Sequence, residues 1–140
     1  MINYRIDQVL KRYNLRNTHC RVRILALFID KDEAMSHADV EDYLSTDFDR
    51  VTLYRTLKTF LDKGLLHKVL DDTGGLKYAL CKECTEEGHH HEHVHFKCIK
   101  CNKTTCLDKL EVPYLQLPSG YQKHELNLLV QGICPDCNFQ

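Results

Sequence analysis

The apolar positions of this chain keep two different rhythms. Up to about residue 63 they recur every three or four residues, the period of a helix; beyond residue 65 they come in short alternating runs, the period of a strand. Residues 2–14 place Ile2, Ile6, Val9, Leu10 and Tyr13 on one helical stripe. Thr18 then reads as the N-cap of a second helix running through Ile29, with Val22, Leu25, Phe28 and Ile29 on its inner side. S-H-A-D at 36–39 is a capping-box start with Asp39 in the place of the usual Glu, and it predicts a helix over about 37–45 that buries Val40, Tyr43 and Leu44. After the break S-T-D-F-D, Arg50–Lys63 forms a fourth helix, and Gly64 is suited to end it.

On that fourth helix Leu53, Leu57, Phe60 and Leu61 share one stripe. Val51, Thr52, Arg55, Lys58 and Thr59 fall on the opposite side, with Tyr54 on the flank. Two helices joined by a short break, the second with a basic outward face, match a helix-turn-helix; a helical bundle with a solvated face has the same periodicity. The segment after Gly64 separates the two. L-H-K-V-L at 66–70, D-D-T-G-G at 71–75 and L-K-Y-A-L at 76–80 read as strand, turn, strand. A hairpin directly after the second helix makes a winged helix over about 1–80, a module whose wing can lie along a DNA backbone. Residues 81–92 have no apolar period and form a hinge. Segments 93–97, 103–107 and 126–131 are predicted strands, with a helix near Asp108–Leu115 cut by Pro113 and an L-P-S-G loop after it. A three-stranded sheet of this size does not stand alone. A metal and a second subunit are the expected supports, so residues 93–140 read as a metal-binding dimerisation domain. The fold class is α+β: a winged helix-turn-helix domain, then a small α/β domain with a three-stranded sheet.

Charge reinforces the division. The chain of 140 residues has a net charge of −1, which argues against indiscriminate binding of polyanions. Residues 1–30 nevertheless hold six basic side chains against two acidic ones, a net +4, whereas residues 81–140 hold six lysines against eight acids, a net −2. A basic end and an acidic, ligand-rich end point to two modules with separate tasks. No apolar run has the roughly 18–20 residues of a membrane span, and the amphipathic start M-I-N-Y-R-I-D-Q has no signal-peptide core. Eight cysteines without an export signal favour a reducing compartment and metal ligation, so a cytoplasmic location is expected.

The chemistry is concentrated in His89–Cys106, where five histidines, one glutamate and three cysteines fall within eighteen residues. Cys98 and Cys101 form one C-x-x-C pair, and Cys134 and Cys137 a second. Together they supply the four thiolates of a tetrahedral structural Zn²⁺. A pair of disulfides, or idle core cysteines, is the alternative. Alternation along H-V-H-F-K-C puts His93 and His95 on one strand face, a start for a second metal site whose imidazoles suit Zn, Fe, Ni or Cu. For His89 and His90 a solvated His-rich loop explains the residues as well as ligation does.

With these motifs in this order, the chain resembles the ferric uptake regulator (Fur) family of metal-responsive bacterial repressors. The resemblance rests on R-N-T-H-C-R-V-R-I-L at 16–25, V-T-L-Y-R-T-L at 51–57, H-V-H-F-K-C-I-K-C at 93–101 and G-I-C-P-D-C at 132–137. It implies a homodimer whose two DNA-binding domains are set by bound metal at the spacing of a palindromic double-stranded operator. It places the structural zinc on Cys98, Cys101, Cys134 and Cys137. For the sensory site, Zn²⁺ or Fe²⁺, it implies His37 from the DNA-binding domain, His93 and His95 from the strand, and Glu86 or Glu87 from the loop. Tyr54 and Arg55 match the family's base- and backbone-reading pair, Thr52 and Arg16 its phosphate contacts, and Lys58 lies on the same face.

Two departures from the family pattern stand out. Where many relatives carry an acidic ligand five residues after the second cysteine, this chain has Cys106, a softer donor that favours Zn²⁺ over Fe²⁺ and is also a candidate redox thiol. The acid that the family's additional site uses between the strand histidines is here Val94. His91, Glu92, Glu111 and His124 are left as a partial set for that site, with Cys84 as a further thiol. Two other functions compete. His90, His91 and Glu92 followed by Cys98 and Cys101 have the letters of a zinc deaminase, but Lys97 replaces the proline before the C-x-x-C and the interval is too short. A peroxide sensor of the same fold is distinguished by its metal: an all-N/O iron site would support it.

Overall fold

The computed structural model describes residues 2–70, 75–80, 93–107, 110, 115–124 and 126–138, with the backbone alone for 2–4, 93 and 127. The N-terminal half packs α1 (Ile2–Arg12), α2 (His19–Lys31), α3 (His37–Leu44) and α4 (Arg50–Lys63) against the hairpin β1 (Leu66–Leu70) and β2 (Leu76–Leu80). The helix starts lie where the capping residues place them. Thr18 accepts from Arg21 N, and Ser36 and Asp39 form the reciprocal box. Asp49, a cap that the sequence pattern did not single out, accepts from Thr52 N at 3.3 Å, and the hydrogen bonds from Thr52 hold its carboxyl below the usual range. Gly64 ends α4 at φ +83°, a left-handed turn that a side chain resists.

One core runs through this half. Ile6, Leu10, Ile24, Leu25, Val40, Leu53, Leu57 and Phe60 are fully buried within it, so the three- and four-residue spacing of each helix converges on a shared interior. Tyr43, expected inside, is half exposed and has Lys31 Nζ 4.8 Å above its ring; α3 is short enough for Val40 and Leu44 alone to face inward.

Asp32 closes α2 in the left-handed conformation, and the chain then bends to an isolated bridge at Met35. Met35 exchanges both backbone hydrogen bonds with Tyr78 of β2, at 2.9 and 2.7 Å. Ala34 N donates to Thr104 O at 2.8 Å, in the C-terminal sheet. Adjacent residues therefore fasten the entry of α3 to the wing on one side and to the second half of the chain on the other.

That second sheet has the order β4-β3-β5, with β3 (His93–Cys98) in the middle, β4 (Thr104–Leu107) antiparallel and β5 (Asn127–Gly132) parallel to it. The three strands are those the alternation predicts. Gly132 sits opposite Cys98, where an added Cβ would come within 3.1 Å of the Phe96 ring. The predicted helix over 108–115 falls largely outside the described residues. A four-residue helix, α5 (Pro135–Asn138), has no counterpart among the predicted elements; it is too short for a period to register. No helix among the described residues is long and apolar enough to cross a membrane.

Candidate metal centres and nucleic-acid interface

Cys98 ends β3, and the chain then turns through Asn102, at φ +63°, into β4. The turn carries Cys101, while the exit from β5 carries Cys134 and α5 carries Cys137. The parallel β3–β5 pair thus delivers both C-x-x-C motifs to the same end of the sheet. The four sulfurs all lie within 4.8 Å of one another, Cys101 Sγ to Cys134 Sγ being 3.9 Å. A tetrahedron with Zn–S bonds of about 2.3 Å has edges of about 3.8 Å, so the cluster fits zinc and is too open for disulfides. Cys98 Sγ accepts the backbone N–H of Cys101 at 3.5 Å and of Cys134 at 3.4 Å. Those donors hold the Cys98 thiol down at about 6. Cys137 is pushed up to about 12 by the neighbouring Cys134 thiol. Four thiols this close cannot all ionise unaided, and a divalent cation removes that conflict.

The second cluster joins the two halves. His67 on β1, His95 on β3 and Cys106 on β4 bring their donor atoms within 4.8 Å of one another. His95 and Cys106 are direct cross-strand partners, and His67 Nε2 meets His95 Nε2 at 2.9 Å. Both histidines are buried, 5% and 3% exposed, and Cys106 is partly so. Two imidazole nitrogens and a sulfur converging from three strands form an N₂S donor set, three of the four ligands that a tetrahedral zinc takes.

Of the residues expected around this site, His95 and Cys106 are brought together, and His67 is a member that the sequence pattern did not single out. Its signal was present: in L-H-K-V-L it shares the inward side with Val69, an uncommon place for a histidine without a partner. His37 is not brought to this group. It is the first residue of α3 and packs beside Tyr54, with Nδ1 3.9 Å from Glu41. The side chain of His93, and Glu86, Cys84, Glu87, His91, Glu92 and Glu111, lie outside the described residues. His124 is exposed in the 115–124 segment and is not part of either cluster. Cys20, for which no role was assigned, is a core thiol 3.3 Å from Thr56 Oγ1, and burial pushes its pKa up.

The outward face of α4 has the composition its periodicity predicts. Thr52, Arg55 and Lys58 are exposed, as are Val51 and Tyr54 at 53% and 51%. Arg50, Val51, Tyr54, Arg55 and Lys58 line one open depression with His37 at its edge. Arg16 is exposed just ahead of α2, and its carbonyl accepts from Arg21 at 2.8 Å. Two exposed apolar residues among three cations are unfavourable on a free surface and suit the edges and phosphates of a duplex groove.

Known proteins share both the sequence and the fold. The model of the ferric uptake regulator family matches residues 12–128. The ferric uptake regulation protein of Neisseria meningitidis serogroup A is 32% identical over 136 residues, spanning 91% of this chain and 90% of that protein. The protein of the same name from Staphylococcus aureus N315 is 30% identical, with 93% of each covered. Among solved structures, a zinc uptake regulator complexed with zinc and DNA superposes with a TM-score of 0.70 at 20% identity, covering 99% of this chain and 93% of that one. The Vibrio cholerae ferric uptake regulator gives 0.59 at 19% identity, covering 91% and 98%. With the family match spanning most of the chain and the fold shared from end to end, this protein belongs to the ferric uptake regulator family, whose members are transcription regulators and not enzymes.

Proposed function

We propose that this regulator is a zinc-responsive, DNA-binding repressor that senses the metal at His67, His95 and Cys106. The observation that carries the reading is the thiolate. An N₂S set with one soft donor suits Zn²⁺ better than Fe²⁺, and it is not the all-N/O site of an iron-based peroxide sensor. The division into a DNA-binding module over 1–80, a hinge over 81–92 and a dimerisation module over 93–140 accords with where the ligands arise. His67 belongs to the wing, and His95 and Cys106 to the second sheet.

Zinc bound there stabilises whichever arrangement brings the two modules together, because its ligands come from both. Cys98, Cys101, Cys134 and Cys137 hold a separate structural zinc. Two copies join through the second half, where Ile99, Val130 and Ile133 are exposed at or beside the edge strand β5. The dimer presents two α4 helices to a palindromic operator. Tyr54 and Arg55 read base edges, and Arg16, Thr52 and Lys58 contact phosphates. The cytoplasm is the matching compartment for reduced thiols and DNA.

The test is metal content per chain of protein purified without air or added metal, for wild type and His67→Ala. Two zinc ions falling to one supports the reading. One zinc plus iron, with the iron lost in the variant, replaces zinc sensing by iron or peroxide sensing. One zinc in both proteins removes His67 from the sensory site.

A further inference from the structure

His37 lies on the DNA-facing side of the molecule with a contact pattern that its fold does not require. Its ring meets Tyr54 edge-on, with centroids 5.7 Å apart and planes at 82°. Its Nδ1 is 3.9 Å from Glu41 Oε2, and the same oxygen is 3.6 Å from Arg50 Nε. Its Nε2 is buried and has no hydrogen-bond partner among the described residues. Leaving a ring nitrogen unsatisfied is unfavourable, and a phenyl ring would give Tyr54 the same edge contact without that cost. What only the imidazole adds is the side turned toward Glu41. His37 therefore touches both ends of one arrangement: the exposed tyrosine on α4, and the carboxylate that holds the exposed arginine at the start of α4.

We propose that His37 and Glu41 are positioning residues for DNA readout: His37 fixes the stance of the Tyr54 ring, and Glu41 engages Arg50, which lines the same depression, and so competes with the phosphates for it. A tyrosine free to turn about χ1 makes no consistent contact with a base edge, whereas one wedged by a neighbouring ring does. A tethered Arg50 lowers the share of affinity that comes from sequence-independent phosphate contact, so discrimination rests more heavily on Tyr54 and Arg55. The pair acts through α4 and rests on the reading of α4 as the helix that enters the groove.

The experiment uses the zinc-loaded full-length protein and a randomised double-stranded DNA library, from which a preferred duplex is selected; a scrambled duplex is the reference. His37→Ala is expected to weaken the selected duplex about threefold to tenfold with little change for the scrambled one, the scale of one aromatic edge contact. His37→Phe, which keeps the ring, is expected to restore most of that discrimination and guards against a variant that merely folds poorly. Glu41→Gln is expected to steepen the dependence of binding on salt by about one phosphate contact for both duplexes. Unchanged discrimination in His37→Ala, or an unchanged salt slope in Glu41→Gln, overturns the inference. Arg55→Ala separates this from the reading beneath it: if that variant also binds the selected duplex normally, α4 is not the reading helix at all.

Discussion

His67 and His95 face each other Nε2 to Nε2 at 2.9 Å, one on the wing of the DNA-binding half and the other on the central strand of the second sheet. In this contact one imidazole donates its N–H to the other. A cation held by both nitrogens would take the place of that proton. Replacing His67 with Ala is expected to abolish zinc binding at this site while the Cys₄ zinc remains. His37→Ala should leave both ions in place. Metal analysis of the two variants side by side checks this, and loss of an ion in His37→Ala would return that residue to the sensory site.

Cys98→Ser removes a ligand from the buried corner of the Cys₄ cluster, where both C-x-x-C turns point their N–H groups. Apparent binding energies of structural zinc sites are on the order of 10 kcal/mol, comparable with the whole stability of a small domain. The variant should lose zinc, and the second sheet should melt before the helical half. An unchanged melting profile and an unchanged oligomer mass would show that zinc is not what holds this sheet together.

Arg55→Ala should abolish binding to a selected operator with metal content unaltered. Lys58→Ala should weaken all duplexes alike and flatten the salt dependence by about one unit. Titrations at several salt concentrations distinguish the two. Equal behaviour of the variants would mean that Arg55 is a phosphate contact and carries no sequence information.

Gly64→Ala places a Cβ on a residue at φ +83°. It should cost about 1–2 kcal/mol by thermal or denaturant unfolding with DNA contacts unaltered. A neutral result would mean that the turn after α4 relaxes out of the left-handed region.

The helices and strands were legible because each rests on local signals: Thr18 and Ser36 as caps, Gly64 as a stop, alternation in 66–70 and 76–80. The Cys₄ set was legible from spacing alone. What sequence did not expose is contact between distant segments. Met35 pairs with Tyr78 through main chain only, so no side-chain pattern marks it. His67 sits in a strand that reads as ordinary alternation, and only its meeting with His95, across 28 positions, gives it chemistry. His37, which the resemblance places at the sensory site, opens α3 directly after the cap Ser36 and stands beside Tyr54, while the Glu86, Glu87 and His93 side chains expected with it lie outside the described residues.

The fastening of Ala34 to Thr104 is made of peptide groups, which every amino acid but proline supplies. Both side chains are buried, so size limits what can replace Ala34 and Thr104 over generations, but the link itself persists through any such exchange. Relatives with unlike residues there can share the same mechanical joint, and a comparison of their sequences would pass over it. A proline entering at 34 by a single mutation would undo it at once, and that makes the position a silent point of fragility.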